Sequence, residues 1–216
     1  MNSRSRGSAQ PLKRHDLVVI APLSSSADPI LAAWIGNGWP LISRRPKPDD
    51  VDGVAVGLPL PPLQGKGRLS FVIRRDQIVS IRAPLLLSDV AHKAPSSWLP
   101  TINHIKRLAS ENGLDIGVFG SLAWSALTGL DYLTESSDLD LLLYVNAETN
   151  LDRVLGRLAQ IQALAPMRLD GEFVREDGAA ANWREFRSTA GEVLIKSLDG
   201  AGFIDRNKFL AGDVAK

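Results

Sequence analysis

The sequence of 216 residues contains no cysteine. The chain can therefore form no disulfide, no thiolate nucleophile and no cysteine-ligated zinc site, which is compatible with a reducing compartment. It also lacks any apolar run approaching the roughly 18 residues that a membrane span needs, and its polar, basic start has no apolar core of a secretory signal. We expect a cytoplasmic protein that does not enter a membrane.

Histidine is scarce, and the net charge is close to zero. The three histidines, His15, His92 and His104, stand at no spacing that suits a zinc site. The net charge is +1, and no basic stripe alternates with aromatic residues. We therefore expect no nucleic-acid partner.

The small net charge hides a difference between the two halves of the chain. Residues 1–100 contain 13 Lys and Arg against 7 Asp and Glu, a net +6, whereas residues 101–216 contain 12 against 17, a net −5. An acidic half suits a metal ion, and a basic half suits a polyphosphate or an acidic protein. Uneven surface charge without a function explains the counts equally well.

Periodicity divides the chain into three parts and predicts the α+β class. Residues 1–13 are rich in Ser, Arg, Gly and Gln, which is typical of a disordered tail. Residues 14–95 predict a small β-rich N-terminal domain with one helix. Proline and serine interrupt both periodicities between Pro95 and Pro100, so we place a linker there. Residues 96–216 then predict a catalytic domain.

The catalytic part alternates between apolar strand patterns and amphipathic helix patterns, which predicts a mixed sheet with flanking helices. Its clearest helix is 151–164, where leucine, valine and isoleucine recur at helical spacing. The predicted strands are 115–119, 139–145, 167–174 and 192–198. Further helices are predicted at 102–112, 122–127 and 182–188.

The most informative motif is a Gly-Ser pair followed by two aspartates. Gly120-Ser121 ends an apolar strand and opens a helix, whose free N–H groups and positive dipole end attract phosphate. Asp138 and Asp140 lie two residues apart at the start of a leucine-rich strand, so both project from one face. Two neighbouring carboxylates are hard oxygen ligands for Mg²⁺. The pattern predicts a magnesium and triphosphate site, with Asp138 and Asp140 also acting in catalysis.

Each piece has a plainer explanation when taken alone. Gly-Ser is an ordinary turn with a helix cap, and Asp138 could cap the start of a strand. Asp140 argues for the site, because it lies between leucines, where an uncompensated carboxylate is unfavourable. A third acid has two candidates, Asp170 and Glu172, which share one face of a later strand. We favour Asp170, which could also accept the proton of the attacking hydroxyl.

Three basic residues are candidates for binding the substrate phosphates. Arg44 and Arg45 follow an apolar strand and could donate in pairs to phosphate oxygens. Paired arginines are more often a solvated strand end. Lys196 stands in the apolar context Leu194-Ile195-Lys196 and is a weaker candidate.

The order Gly-Ser, Asp-x-Asp and a later acid resembles the polymerase-beta-like nucleotidyltransferase superfamily. Residues 119–129 and 136–142 resemble, more narrowly, the phosphoribosyl-dephospho-CoA transferase of malonate decarboxylase. The resemblance extends to Arg14-His15-Asp16 near the start and to Asn182-Trp183-Arg184-Glu185 near the end, and it covers most of 14–200.

This resemblance implies a specific reaction. The donor would be 2′-(5″-triphosphoribosyl)-3′-dephospho-CoA, and the acceptor a serine of the apo acyl-carrier subunit of malonate decarboxylase, with pyrophosphate released and Mg²⁺ as cofactor. Two alternatives stay open. One is a nucleotidyltransferase that uses an ordinary nucleoside triphosphate on another acceptor, and the other is a nucleotide-binding module without turnover.

Overall fold

The computed structural model describes residues 5–6, 11–23, 28–65, 67–188 and 191–211. Its strands form two six-stranded sheets with helices packed against them, so the predicted α+β class is confirmed. Most of the predicted disordered tail lies outside the described residues. No helix in the described ranges is long and apolar enough to cross a bilayer, and the cytoplasmic location stays a prediction.

The N-terminal sheet is antiparallel throughout, in the order β1-β6-β2-β3-β4-β5. Its strands are β1 (Ser5–Arg6), β2 (Leu17–Ile20), β3 (Leu41–Ser43), β4 (Val54–Pro59), β5 (Arg68–Ile73) and β6 (Ile78–Arg82). Helix α1 (Pro29–Gly36) begins at Asp28, whose carboxylate accepts from the N–H groups of Ile30 and Leu31. This cap and the following proline are the local signals that start the helix.

The C-terminal sheet has the order β12-β11-β10-β9-β8-β7, and only β8 and β9 run parallel. Its strands are β7 (Asp115–Val118), β8 (Leu139–Tyr144), β9 (Leu169–Val174), β10 (Ala180–Asn182), β11 (Glu192–Lys196) and β12 (Ala201–Asp205). The helices are α2 (Leu87–Val90), α3 (Leu99–Asn112), α4 (Gly120–Thr128) and α5 (Leu151–Leu164). A parallel pair needs a long crossover, and α5 supplies it between β8 and β9.

The helix predicted at 182–188 is wrong. Asn182 ends strand β10, and the following residues form only one 3₁₀ turn, Glu185–Arg187. Asn182 pairs with Glu172 of β9, so strand pairing takes the first residue of the predicted helix. Strand β12 was not predicted, because glycine and exposed residues dilute its alternation.

The described residues form two large apolar cores and a small cluster of Leu142, Val174 and Ala180. In the larger one, Leu139, Leu141 and Leu143 of β8 pack with residues of α3 and α5. Leu87 and Val90 belong to this core as well, although both precede the domain boundary predicted at residues 95 and 96. The smaller core lies on the N-terminal sheet.

The two sheets are joined by apolar contacts. Trp124 of α4 and Tyr132 lie in the core of the N-terminal sheet. The Trp124 and Trp34 rings are 5.8 Å apart, and the Tyr132 hydroxyl donates to the Pro59 carbonyl at 2.7 Å. Burial raises the pKa of Tyr132 to about 12. Helix α4, which follows the Gly-Ser turn, is therefore held by both sheets.

Candidate active site

The parallel pairing of β8 with β9 brings two of the predicted acids together. Asp140 is the register partner of Asp170, just as Leu139 is the partner of Leu169. Leucines 139 and 169 face the core, so the alternation of the strands directs both carboxylates to the opposite face. The sheet thus places one acid from each strand side by side.

Asp138 joins this pair through Arg168. The Arg168 guanidinium lies 3.9 Å from an Asp138 carboxylate oxygen and 4.0 Å from one of Asp170. The Arg168 side chain is 59% exposed, and those of Asp138 and Asp170 are about one third exposed. The acids therefore surround one cation at the accessible end of the strands.

The Gly-Ser turn packs directly against Asp140. Gly120 has φ +64°, and a Cβ atom there would lie 1.8 Å from an Asp140 carboxylate oxygen. The backbone N–H of Ser121 donates to the Asp140 side chain, and the Phe119 N–H donates to the Asp140 carbonyl at 3.2 Å. Glycine is required here both for the left-handed backbone and for the close approach.

The surroundings of Asp140 disfavour its charged form. Burial, followed by the charges of Asp170 and Asp138, raises the pKa of Asp140 to about 7. The Ser121 hydrogen bond and the Arg168 charge act in the other direction without cancelling this effect. Such a carboxyl favours a cation beside it.

The two candidates for the third acid have different environments. Asn182 donates its side-chain N–H to Asp170 at 2.9 Å, which orients the carboxylate that neighbours Asp140. Glu172 instead accepts two hydrogen bonds from Arg14, at 3.0 and 3.1 Å. The structure therefore favours Asp170 at the site and gives Glu172 an ion pair of its own.

Ion pairing controls the protonation of Glu172. Burial opposes its ionisation, but the hydrogen bond with His15 and the charge of Arg14 prevail and lower the pKa of Glu172 to about 2. Burial in turn lowers the pKa of His15. Glu172 is therefore a carboxylate at neutral pH and has its cation within the protein.

The three predicted phosphate-binding cations do not join the acids. All five N–H groups of the Arg44 guanidinium have acceptors, which are the Asp50 carboxylate and the carbonyls of Arg45, Val56 and Phe71. Arg45 donates to the carbonyls of Ser197 and Gly200 in the turn between β11 and β12.

Lys196 shares the sheet face of the acids, because it pairs with Ala180, which pairs with Val174. Strand spacing and rise per residue nevertheless place it about 15 Å from Asp170. Its role as a phosphate ligand, like that of Arg44 and Arg45, stays a prediction without support from contacts.

Comparison with known families covers nearly the whole chain. Residues 13–84 match the model of the phosphoribosyl-dephospho-CoA transferase MdcG N-terminal domain, and residues 85–207 match that of its C-terminal domain. The chain belongs to the phosphoribosyl-dephospho-CoA transferase family. The two family domains meet at residues 84 and 85, which separates the strands of the N-terminal sheet from those of the C-terminal sheet.

Individual members of the phosphoribosyl-dephospho-CoA transferase family are similar over most of their length. A protein of that name from Bradyrhizobium diazoefficiens is 42% identical over 222 residues, covering 98% of each chain. One from Xanthomonas campestris pv. campestris is 36% identical over 89% of this chain and 94% of its own. One from Pseudomonas putida is 31% identical over 86% and 90%. No solved structure matches the chain.

Sequence reasoning missed two polar residues beside the candidate site and two beside the neighbouring Glu172. They are Arg168 and Asn182 beside Asp170, and Arg14 and His15 beside Glu172. Arg14, His15 and Asn182 lie in segments that carry the family resemblance, and this was the only available signal. Their partners are distant in sequence, so no local pattern assigns them a contact.

The donor set suits Mg²⁺ in combination with a phosphate substrate. No group of three or more His, Asp or Glu side chains in the described ranges is arranged to hold a metal by itself. Mg²⁺ commonly takes one or two carboxylates and fills its other positions with water and substrate phosphate oxygens. Asp138 and Asp140, with the raised pKa of Asp140, meet that requirement.

Proposed function

We propose that this transferase moves the phosphoribosyl-dephospho-CoA group from 2′-(5″-triphosphoribosyl)-3′-dephospho-CoA to a serine of the apo acyl-carrier subunit of malonate decarboxylase. In this reaction the serine oxygen forms a bond to the α-phosphorus, the bond from that phosphorus to the bridging oxygen breaks, and pyrophosphate leaves. The product is a phosphodiester-linked prosthetic group. Membership of the transferase family supports the donor, and the MdcG name supports the link to malonate decarboxylase.

One observation carries the proposal. Asp140, with its neighbours Asp138 and Asp170, lies against a glycine turn that opens helix α4. A carboxylate that its neighbours leave without an ion pair, as Asp140 is, and a turn that presents backbone N–H groups are the two parts that a triphosphate-cleaving site needs.

Asp138 and Asp140 are the residues that would hold Mg²⁺. When bound, the metal would neutralise the charge of the triphosphate and of the leaving pyrophosphate. The positive end of α4 at Ser121 would add a favourable field for the phosphates.

The remaining residues would place and deprotonate the acceptor. Asp170 neighbours Asp140 and is oriented by Asn182, so it is the candidate base for the proton of the serine hydroxyl. Arg168 contacts Asp138 and Asp170 loosely and is exposed, so its guanidinium can turn to a phosphate oxygen.

The test is the intact mass of the apo carrier subunit after incubation with the triphosphoribosyl donor, Mg²⁺ and this protein. We expect the carrier to gain the mass of the phosphoribosyl-dephospho-CoA group, with pyrophosphate released in equal amount. Asp138→Asn and Asp140→Asn should reduce the rate on the order of 10³-fold, because removal of a metal ligand weakens the charge stabilisation of the transition state.

A control variant and two contradicting outcomes test the proposed donor and the proposed site independently. Arg74→Gln breaks an exposed ion pair with Asp76 on the N-terminal sheet and should leave the mass gain unchanged. A carrier that gains no mass, while a nucleoside triphosphate labels another acceptor, would contradict the proposed donor. Full activity in both aspartate variants would contradict the proposed site.

A further inference from the structure

A short segment of the chain, residues 13–16, connects the two sheets next to the candidate site. Hydrogen bonds fix this segment to the N-terminal sheet. The Ser43 hydroxyl donates to the Lys13 carbonyl, and the Ser43 N–H donates to the Asp16 carbonyl at 2.8 Å. The Lys13 N–H also donates to the Asp16 side chain, which is buried. We call residues 13–16 the connecting segment.

The side chains of the connecting segment reach the C-terminal sheet. Both terminal nitrogens of the Arg14 guanidinium donate hydrogen bonds to the Glu172 carboxylate, and His15 Nε2 lies 3.4 Å from the same carboxylate. The side chains of Glu172 and Arg14 are only 12% and 20% exposed. The Lys13 ammonium donates to the carbonyl of Glu176. A bidentate, mostly buried pair of this kind fixes geometry as well as charge.

His15 also contacts the turn that leads into the candidate site. Its ring lies 4.4 Å from the Phe119 ring, centroid to centroid. Phe119 immediately precedes Gly120, and its N–H donates to the carbonyl of Asp140. A displacement of the Phe119 ring would therefore be transmitted to the backbone that touches Asp140.

The backbone at His15 is held in an unfavourable conformation. Its φ is +65°, and a non-glycine residue there carries strain of about 1 kcal/mol or more. Such strain persists where surrounding contacts require it. The contacts present are those with Glu172 and Phe119, and both depend on the direction of the His15 ring.

We propose that Arg14 and His15 are positioning residues that fix the Phe119–Gly120 turn beside Asp140 and thereby set the affinity for the triphosphate of the donor. This role rests on the proposed function, because it assumes that the turn binds the donor. It assigns a role in donor binding to the Arg14-His15-Asp16 motif, although this motif lies far from Asp138 and Asp140 along the chain.

The competing explanation is that the connecting segment only joins the two sheets. In that case its loss would lower the free energy of unfolding and leave the kinetics of the folded enzyme unchanged. A positioning role predicts a different outcome, in which the KM for the donor rises while the protein is still folded.

The experiment measures kcat and the donor KM of the full chain at a temperature well below the unfolding transition. His15→Asn is the main variant, because asparagine tolerates positive φ, so the backbone is kept while the contacts of the ring with Phe119 and Glu172 are lost. We expect a rise in the donor KM of about tenfold, a smaller change in kcat and an unchanged KM for the carrier. Arg14→Gln should act in the same direction, and Arg74→Gln is the matched control with no effect.

A double-mutant cycle completes the test. Phe119→Leu removes the same ring contact from the other side, so its effect on the donor KM should not add to that of His15→Asn. A wild-type donor KM in folded His15→Asn, or full additivity with Phe119→Leu, overturns the positioning role. The aspartate variants distinguish this failure from failure of the proposed function, because they lose turnover if the site is correct whatever His15 does.

Discussion

Asp140 and Glu172 lie on the same face of the same sheet, on adjacent strands and two register positions apart. Their pKa values are nevertheless shifted in opposite directions. Burial affects both carboxyls. Asp140 has two further acids as neighbours and a pKa of about 7, whereas Glu172 has Arg14 and His15 and a pKa of about 2. The difference lies in which charges the rest of the chain brings to each position.

The comparison separates a carboxyl that the protein pairs with a cation from one that it does not. Glu172 receives its cation from the protein and has no need of another. Asp140 is buried and has mainly negative neighbours, which is the environment that the proposed Mg²⁺ would compensate. Two acids that a strand pattern treats alike therefore have different tasks, and the following experiments test that division.

Apart from the loss of turnover expected when Asp138 or Asp140 is replaced, the largest effect is expected from Gly120→Ala. A Cβ atom would collide with the Asp140 carboxylate, so the turn must move, and a displacement of about 1 Å costs on the order of 100-fold in rate. Gly129→Ala is the matched control, because Gly129 has a similar φ of +75° but no atom within 4 Å of the added Cβ. Both variants should lose about 1 kcal/mol of stability through the left-handed backbone, and Gly120→Ala should lose more because of the collision. Only Gly120→Ala should lose kcat/KM. Equal activity of the two variants would contradict the role of the turn.

Stability should change in opposite directions when each acid is made neutral. Glu172→Gln leaves Arg14 without its ion pair and should lower the free energy of unfolding by about 3 kcal/mol. Asp140→Asn relieves repulsion from Asp170 and Asp138 and should raise it at pH 8 by about 2 kcal/mol. Urea unfolding measures both. A loss of stability in Asp140→Asn would show that its charge is compensated after all.

Asp140 and Glu172 should each affect the free energy of unfolding in a different pH range. The native pKa of Asp140 lies above its ordinary 3.8, so the native state binds more protons and stability falls as pH rises from about 3.8 to 7. The native pKa of Glu172 lies below its ordinary 4.5, so its contribution is present above that value and is lost as pH falls toward 2. Asp140→Asn should remove the first dependence and Glu172→Gln the second, in unfolding titrations.

Magnesium should stabilise the folded protein through Asp140. A concentration ten times the dissociation constant should raise the Tm of the wild type by about 3 °C. The rise should be larger at pH 8 than at pH 6, because Asp140 must ionise to bind the metal. The rise in Tm should disappear in Asp140→Asn. Thermal unfolding in Ca²⁺-free buffer measures it, and a rise in Tm that persists in Asp140→Asn would place the metal elsewhere.

The smallest effect is expected from Lys196→Ala. Lys196 lies on the same face but about 15 Å from Asp170, beyond the screening length of about 8 Å at physiological salt, so kcat/KM should stay within about twofold of the wild type. A large loss in the steady-state assay would show that the donor extends along the face as far as β11.

Local patterns were enough for much of the fold. Strands such as Leu139–Tyr144 and helices such as Leu151–Leu164 follow from residue periods of two and of about 3.6. The short strand Ala180–Asn182 could not be predicted in this way, because three residues carry too little periodicity and its strand form depends on pairing with β9.

The candidate site was predictable only in part. The Asp-x-Asp spacing and the glycine turn identified Asp138, Asp140 and Gly120 as members of one site. The phosphate roles of Arg44 and Arg45 had no better basis than charge, and the structure shows Arg44 held by Asp50 and Arg45 by carbonyls of the turn between β11 and β12.

The sequence by itself determined that Asp138 and Asp140 begin a leucine-rich strand and that glycine and serine open a helix, because these features depend on neighbouring residues. Only the tertiary structure shows that Asp170 pairs with Asp140 whereas Glu172 has an ion pair of its own, which favours Asp170 as the third acid of the proposed site. That choice depends on Arg14, which lies 158 residues from Glu172 along the chain. Charge compensation acts through space, and only the folded chain sets those distances.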